Sequence, residues 1–146
     1  MFKPINFETY INGSSTAFGH CVELHAAFDL RKRFPEYRVK RLRYGGHDLE
    51  LTHRVTGEII RIEVKAARRG KDKKYRATAF KRGATDYRKS DYIVFYTFPV
   101  GCAGANPVPF IIPVKEWNKP HIVITSHPES YSGKLKVYRN AWSKIQ

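Results

Sequence analysis

The chain has 146 residues, with 27 Lys and Arg against 13 Asp and Glu and a formal net charge of +14. This length suits one domain with a real core, over residues 1–146, and the apolar and aromatic content excludes an intrinsically disordered chain. No apolar run approaches a membrane span, MFKPINFETY lacks the apolar stretch of a secretory signal, and the distant Cys21 and Cys102 make neither a disulfide framework nor a zinc ribbon. A soluble cytoplasmic protein is therefore expected. So strong a positive charge makes nucleic acid the leading partner, because the basic residues are interleaved with Tyr and Phe and do not gather on one amphipathic helix. An anionic membrane or an acidic protein is the alternative.

In chain order, the first element is a helix opened by a cap at Ser14, Ser15 or Thr16 and ended by Pro35. Ala17, Cys21, Leu24 and Phe28 recur on it at helical spacing, which predicts an apolar stripe. YRVKRLRY (37–44) predicts a strand that is basic on one side. HDLELTHR and IIRIEVKA alternate polar and apolar residues and predict a hairpin turning at Thr56-Gly57. Residues 67–90 are strongly basic and carry no clear element. DYIVFYTF (91–98) reads as a buried strand, and FIIPV as a strand whose Pro113 suits a sheet edge. HIVIT and KLKVY are further strand candidates, and RNAWSKIQ is a short helix anchored by Trp142.

The hairpin concentrates acid in a chain that otherwise avoids it: Asp48, Glu50, Glu58 and Glu63 fall within 16 positions or fewer of one another. With Thr56 and Gly57 at the turn centre, Leu49, Leu51 and His53 oppose Val64, Ile62 and Ile60 on an apolar face. The polar face then pairs Asp48 with Lys65, Glu50 with Glu63 and Thr52 with Arg61. A slip of one residue would mix the faces, whereas a slip of two would not. Glu50 against Glu63 is unfavourable. Arg61 and Lys65 relieve it in part, and a hard divalent cation would do the same. The plainer reading is a charged sheet face with cross-strand ion pairs.

Asp48, followed after a hairpin by Glu63-Val64-Lys65, resembles the D…(D/E)xK signature of the PD-(D/E)xK nuclease superfamily. That superfamily includes restriction enzymes, junction resolvases and some homing endonucleases. The resemblance covers residues 18 to 98 best, and it departs from the pattern in having His47 where Pro is usual. It implies an α/β fold with a restriction-endonuclease-like core, a mixed β-sheet flanked by helices. It also implies that Asp48 and Glu63 are metal ligands, that the Val64 carbonyl adds a third oxygen, and that Lys65 orients water or stabilises phosphate charge. Glu23 matches the helix-borne Glu of many members.

Glu23 can also be read on its own. Its helical neighbours Gly19, Ala26, Ala27 and Leu30 are small or apolar, so its carboxylate needs either an Arg or a metal. Phosphodiester hydrolysis has matching needs, a water activated near neutral pH and neutralised phosphate charge, and bound Mg²⁺ (with Mn²⁺ as substitute) meets both. His20, Cys21 and His25 invite a zinc reading, but Cys21 and His25 share an apolar helix face and read as core.

Arg68, Arg69, Lys71, Lys73, Lys74, Arg76, Lys81, Arg82, Arg88 and Lys89 are candidate phosphate contacts, interleaved with Tyr75, Phe80 and Tyr87. Arg33, Arg38, Lys40, Arg41 and Arg43 make a second basic patch leading into the site. The expected function is a Mg²⁺-dependent DNA endonuclease of homing or restriction type. It would act as a homodimer or higher symmetric oligomer, since one chain supplies one active site. The alternatives are a junction resolvase of the same superfamily and a non-catalytic nucleic-acid-binding module.

Overall fold

The computed structural model describes residues 15–42, 48–79, 90–99, 107–125 and 127–145. Helix α1 (Ser15–Arg33) precedes strands β1 (Tyr37–Arg41), β2 (Leu49–His53), β3 (Ile59–Arg68), β4 (Lys74–Thr78), β5 (Tyr92–Phe98), β6 (Val108–Pro113) and β7 (His121–Thr125). Five strands form one sheet in the order β1-β2-β3-β5-β6, and β4 pairs with β7 in a second sheet. The β3–β5 pair is parallel and the other pairs are antiparallel, so the large sheet is mixed. Pro113 ends β6, which is an edge strand, where its missing N–H costs no ladder bond.

Two apolar layers flank the sheet. On one face α1 lays Phe18, Val22, Ala26 and Leu30 against Leu49, Leu51, Ile60, Ile62, Val94 and Tyr96. On the other face Ile93, Phe95, Phe110 and Ile112 pack beneath Tyr75, Ile122 and Ile124 of the small sheet. β5 is buried on both sides, which is why DYIVFYTF reads as an unbroken apolar run. β2 and β3 differ. Their apolar residues face α1, while Glu50, Thr52, Arg61, Glu63 and Lys65 alternate with them and stay half-buried. The polar half of the sheet is thus a consequence of strand alternation.

The structure departs from the sequence reading at four places. The helix buries Phe18, Cys21, Val22, Ala26, Ala27 and Leu30, whereas Ala17 is exposed and Leu24 is 37% exposed. The large residues misled, because the small Ala26 and Ala27 are what let the helix lie close to the sheet. KLKVY is a 3₁₀ turn (Lys134–Tyr138) and not a strand. Leu135 and Tyr138, three apart, are buried, while Val137 is 65% exposed, a spacing that suits a 3₁₀ turn and not a strand. β4 was not anticipated, since its single large apolar residue, Tyr75, gives no alternation to read.

The hairpin register is the fourth. Leu49 opposes Ile62, Glu50 opposes Arg61, Leu51 opposes Ile60 and Thr52 opposes Ile59, two residues from the expected pairing. The turn is longer than two residues: the His53 amide bonds the Glu58 carbonyl at 2.8 Å, and Gly57 takes φ +75°. The His53 ring nitrogen Nδ1 accepts the Val55 and Thr56 amides at 3.2 and 3.1 Å, which fills the turn. A shift of two keeps every side chain on its face, so hydrophobic pattern could not detect it. It also removes the Glu50–Glu63 clash. Glu50 now lies between Lys40 and Arg61, an ordinary ion-pairing position.

Candidate active site

Strand β2 ends its ladder at Leu49↔Ile62, but β3 runs on to Arg68. Beyond Leu49 the pairing breaks in a bulge-like way, since the Asp48 amide bonds the Ile62 carbonyl at 2.9 Å, one residue off register. The Val64 amide faces the vacated edge, and Asp48 Oδ2 accepts its hydrogen at 2.7 Å. A side-chain oxygen therefore stands where a strand carbonyl would have been. The carbonyl of a strand residue projects to the same side as its amide, so Val64 offers its own oxygen to this gap.

A pocket of about 250 Å³ opens there. It is lined by Glu23 with Gly19 and Val22 from α1, by Asp48, and by Glu63, Val64, Lys65 and Ala66 of β3. The residues proposed for catalysis from sequence thus share one pocket. Lys65 Nζ lies 3.0 Å from Glu63 Oε1. Burial pushes the Asp48 carboxyl up to about 7; the Glu63 and Glu23 charges add to this, while the Val64 amide and Lys65 oppose it. Among the described residues, no three His, Cys, Asp or Glu side chains are grouped closely enough to cage an ion by themselves.

Glu23 has the Arg partner that its position demanded. Arg41 Nη2 donates to Glu23 Oε2 at 3.2 Å and lies 3.1 Å from His20 Nδ1. Arg41 is thus turned inward, towards the pocket wall, and its Nε is buried without a hydrogen bond among the described residues. This partner was legible only as a type, an Arg or a metal, because helix–strand pairs lack a fixed sequence spacing.

Arg68 also has an internal contact, its guanidinium 4.8 Å from the centre of the Phe18 ring. Arg69, Lys71, Lys73, Lys74 and Arg76 lie on the turn after β3 and along β4, with Lys71, Lys73 and Arg76 exposed. Arg43, Lys81, Arg82, Arg88 and Lys89, with His47 and Cys102, lie outside the described residues. Cys21 and His25 are buried in the helix–sheet core, where His25 Nε2 lies 3.4 Å from Asp29 and the Tyr96 hydroxyl donates to Asp29 at 2.9 Å. No helix among the described residues is long and apolar enough to cross a membrane.

No protein-family model matches the sequence, and no curated protein matches it. The fold is similar to that of a bacterial homing endonuclease, I-Ssp6803I, with a TM-score of 0.62 and 19% identity. The match covers 90% of this chain and 92% of that one. At this identity the likeness establishes a shared α/β fold and its mixed sheet.

Proposed function

We propose that the protein is a Mg²⁺-dependent DNA endonuclease of the PD-(D/E)xK type. The observation that carries this is the single pocket in which Glu23, Asp48, Glu63 and Lys65 meet at the open edge of β3. A hard divalent cation fits the residues present. Two carboxylates and a strand carbonyl offer oxygen only, and Mg²⁺ commonly uses one or two carboxylates while water completes its shell. Burial first, and then the Glu63 and Glu23 charges, disfavour the ionised Asp48, and such a cation would offset both. Asp48, Glu63 and the Val64 carbonyl would hold it.

Bound there, the ion would supply a water acidic enough to attack near neutral pH, together with positive charge on the phosphate. The chain's own residues do the rest. The Val64 amide fixes one Asp48 oxygen, and the other is left for the pocket. Arg41 holds Glu23 against the helix side of the pocket, and Lys65 brings a compact positive charge to where phosphate charge builds up. The surrounding Lys and Arg offset the repulsion that three carboxylates would exert on DNA.

The neighbour's description as a homing endonuclease, over nearly its whole length, favours a homing- or restriction-type enzyme over a junction resolvase. Two cuts in a duplex would need two copies, hence a homodimer or higher symmetric oligomer. Incubation with supercoiled plasmid and with a synthetic four-way junction, each in Mg²⁺ and in EDTA, tests the proposal. Cleavage of plasmid in Mg²⁺ alone is expected. Preferential resolution of the junction would favour the resolvase reading, and binding without any cleavage the non-catalytic one.

A further inference from the structure

We propose that a second pocket, between the turn after β3 and the end of β7, seats one phosphate of a nucleic-acid backbone; this rests on the nuclease reading above. The pocket has a volume of about 290 Å³. Arg69, Lys73 and Lys74 line it together with Thr125 and His127, and the buried Tyr75 completes the lining. Neither Thr125 nor His127 stands out in the sequence. Only the β4–β7 pairing, which sets Lys74 opposite Thr125, brings them to the basic turn.

The charge balance points to an anion. The one acid in the pocket, Asp72, is already occupied: it is ion-paired with Arg76, and its Oδ1 accepts the Lys74 amide at 3.2 Å. Among the described residues, Arg69, Lys73 and Lys74 make no close ion pair, and only Lys74 also feels the Asp72 charge. Three cations, an imidazole and a hydroxyl around one space match the oxygens of a phosphate group.

The turn also presents these groups in a determined way. Lys73 takes φ 62°, an unfavourable conformation for a lysine. It is held by the Lys73 amide on the Gly70 carbonyl at 3.0 Å and the Gly70 amide on the Lys74 carbonyl at 2.9 Å. A Cβ at Gly70 would come 3.1 Å from Asp72 Oδ1 and 3.2 Å from the Lys74 carbonyl, so a side chain there would press on the groups that close the turn. Arg69 lies four positions beyond Lys65, roughly 13 Å along an extended chain. At about 3.4 Å of rise per nucleotide, a backbone seated at the acid pocket could reach this one within about four nucleotides.

The test measures duplex affinity against salt concentration in EDTA, by fluorescence anisotropy, with the whole chain. The double change Lys73→Ala/Lys74→Ala is expected to weaken binding on the order of tenfold and to lower the salt slope by about one. Thr125→Val/His127→Ala should weaken binding and leave the slope nearly unchanged. Lys134→Ala/Lys136→Ala, on an exposed turn elsewhere, is the control for general charge and should change the slope less. In the wild type, the His127 ring NMR signal should shift saturably with inorganic phosphate and not with chloride at equal ionic strength. If the wild type binds duplex but the Lys73/Lys74 variant keeps its slope, or the control lowers it equally, this pocket is not a phosphate seat. An unmoved His127 signal overturns it too. A wild type that ignores duplex defeats the nuclease reading as well.

Discussion

Asp48 Oδ2 accepts the Val64 amide at 2.7 Å, joining a residue before β2 to the middle of β3. The carboxylate thereby acts as both a backbone partner and a wall of the acid pocket. These two roles respond differently to substitution.

Asn at position 48 keeps an acceptor for Val64 and removes the charge; Ala removes both. The Asp48 carboxyl is raised to about 7 in the folded chain, chiefly by burial, against about 3.9 when unfolded. The folded state therefore binds more protons across that interval, and this group's stabilisation, full below about pH 4, is lost as pH rises through about 7. Asp48→Asn is expected to be more stable than wild type at about pH 8, with a clearly smaller gap at about pH 5. Asp48→Ala should lose about 1–2 kcal/mol at about pH 5 by stranding the Val64 amide. Urea midpoints at the two pH values check both, and a constant gap for Asp48→Asn would remove the assigned electrostatics.

Ion binding has a readout independent of cleavage. A cation held by Asp48 and Glu63 binds only the folded state, so at about ten times its Kd it should add about 1.4 kcal/mol. The melting temperature of the wild type should rise with Mg²⁺ at about pH 8. In Asp48→Asn/Glu63→Gln that rise should vanish, and a rise that survives would locate the ion elsewhere.

Lys65 separates chemistry from binding. Lys65→Ala removes one positive charge beside Glu63 among many on the chain. Cleavage should fall by about 10²–10³ or more, the scale of losing one transition-state charge contact. Duplex affinity should change little. A parallel loss of affinity and rate would make Lys65 a binding residue only.

Gly57 tests the hairpin turn. Its φ of +75° lies in the left-handed region, although a Cβ there would meet nothing within 4 Å. Gly57→Ala should therefore cost about 1–2 kcal/mol from backbone conformation alone, and Gly57→Asn less. Chemical denaturation measures this, and equal stability for all three would contradict the observed turn.

Tyr96 probes the polar cluster under α1. Its hydroxyl is buried and donates to Asp29, which also meets His25; burial first, then Asp29, raises its pKa well above the ordinary range. Tyr96→Phe should lower stability by about 1.5–3 kcal/mol, the range for a hydrogen bond to a charged group. Plasmid cleavage by the folded variant should be unchanged.

The candidate acids and their lysine came from the resemblance to a nuclease signature, while local pattern was enough to identify the helix, the buried β5, the edge Pro113 and the parity of the β2–β3 hairpin. Each of these is a statement about neighbours a few positions apart, where alternation or helical spacing leaves a visible trace. Register, partners and pockets were decided by the tertiary structure. The two-residue shift preserved every face, and depended on how His53 and Gly57 close a turn. The Glu23–Arg41 contact joins residues 18 positions apart, and Thr125 and His127 meet Lys73 and Lys74 only through the β4–β7 pairing. Such contacts satisfy charge and hydrogen-bonding needs that a sequence announces but does not assign, because any suitable residue brought there by the fold can meet them.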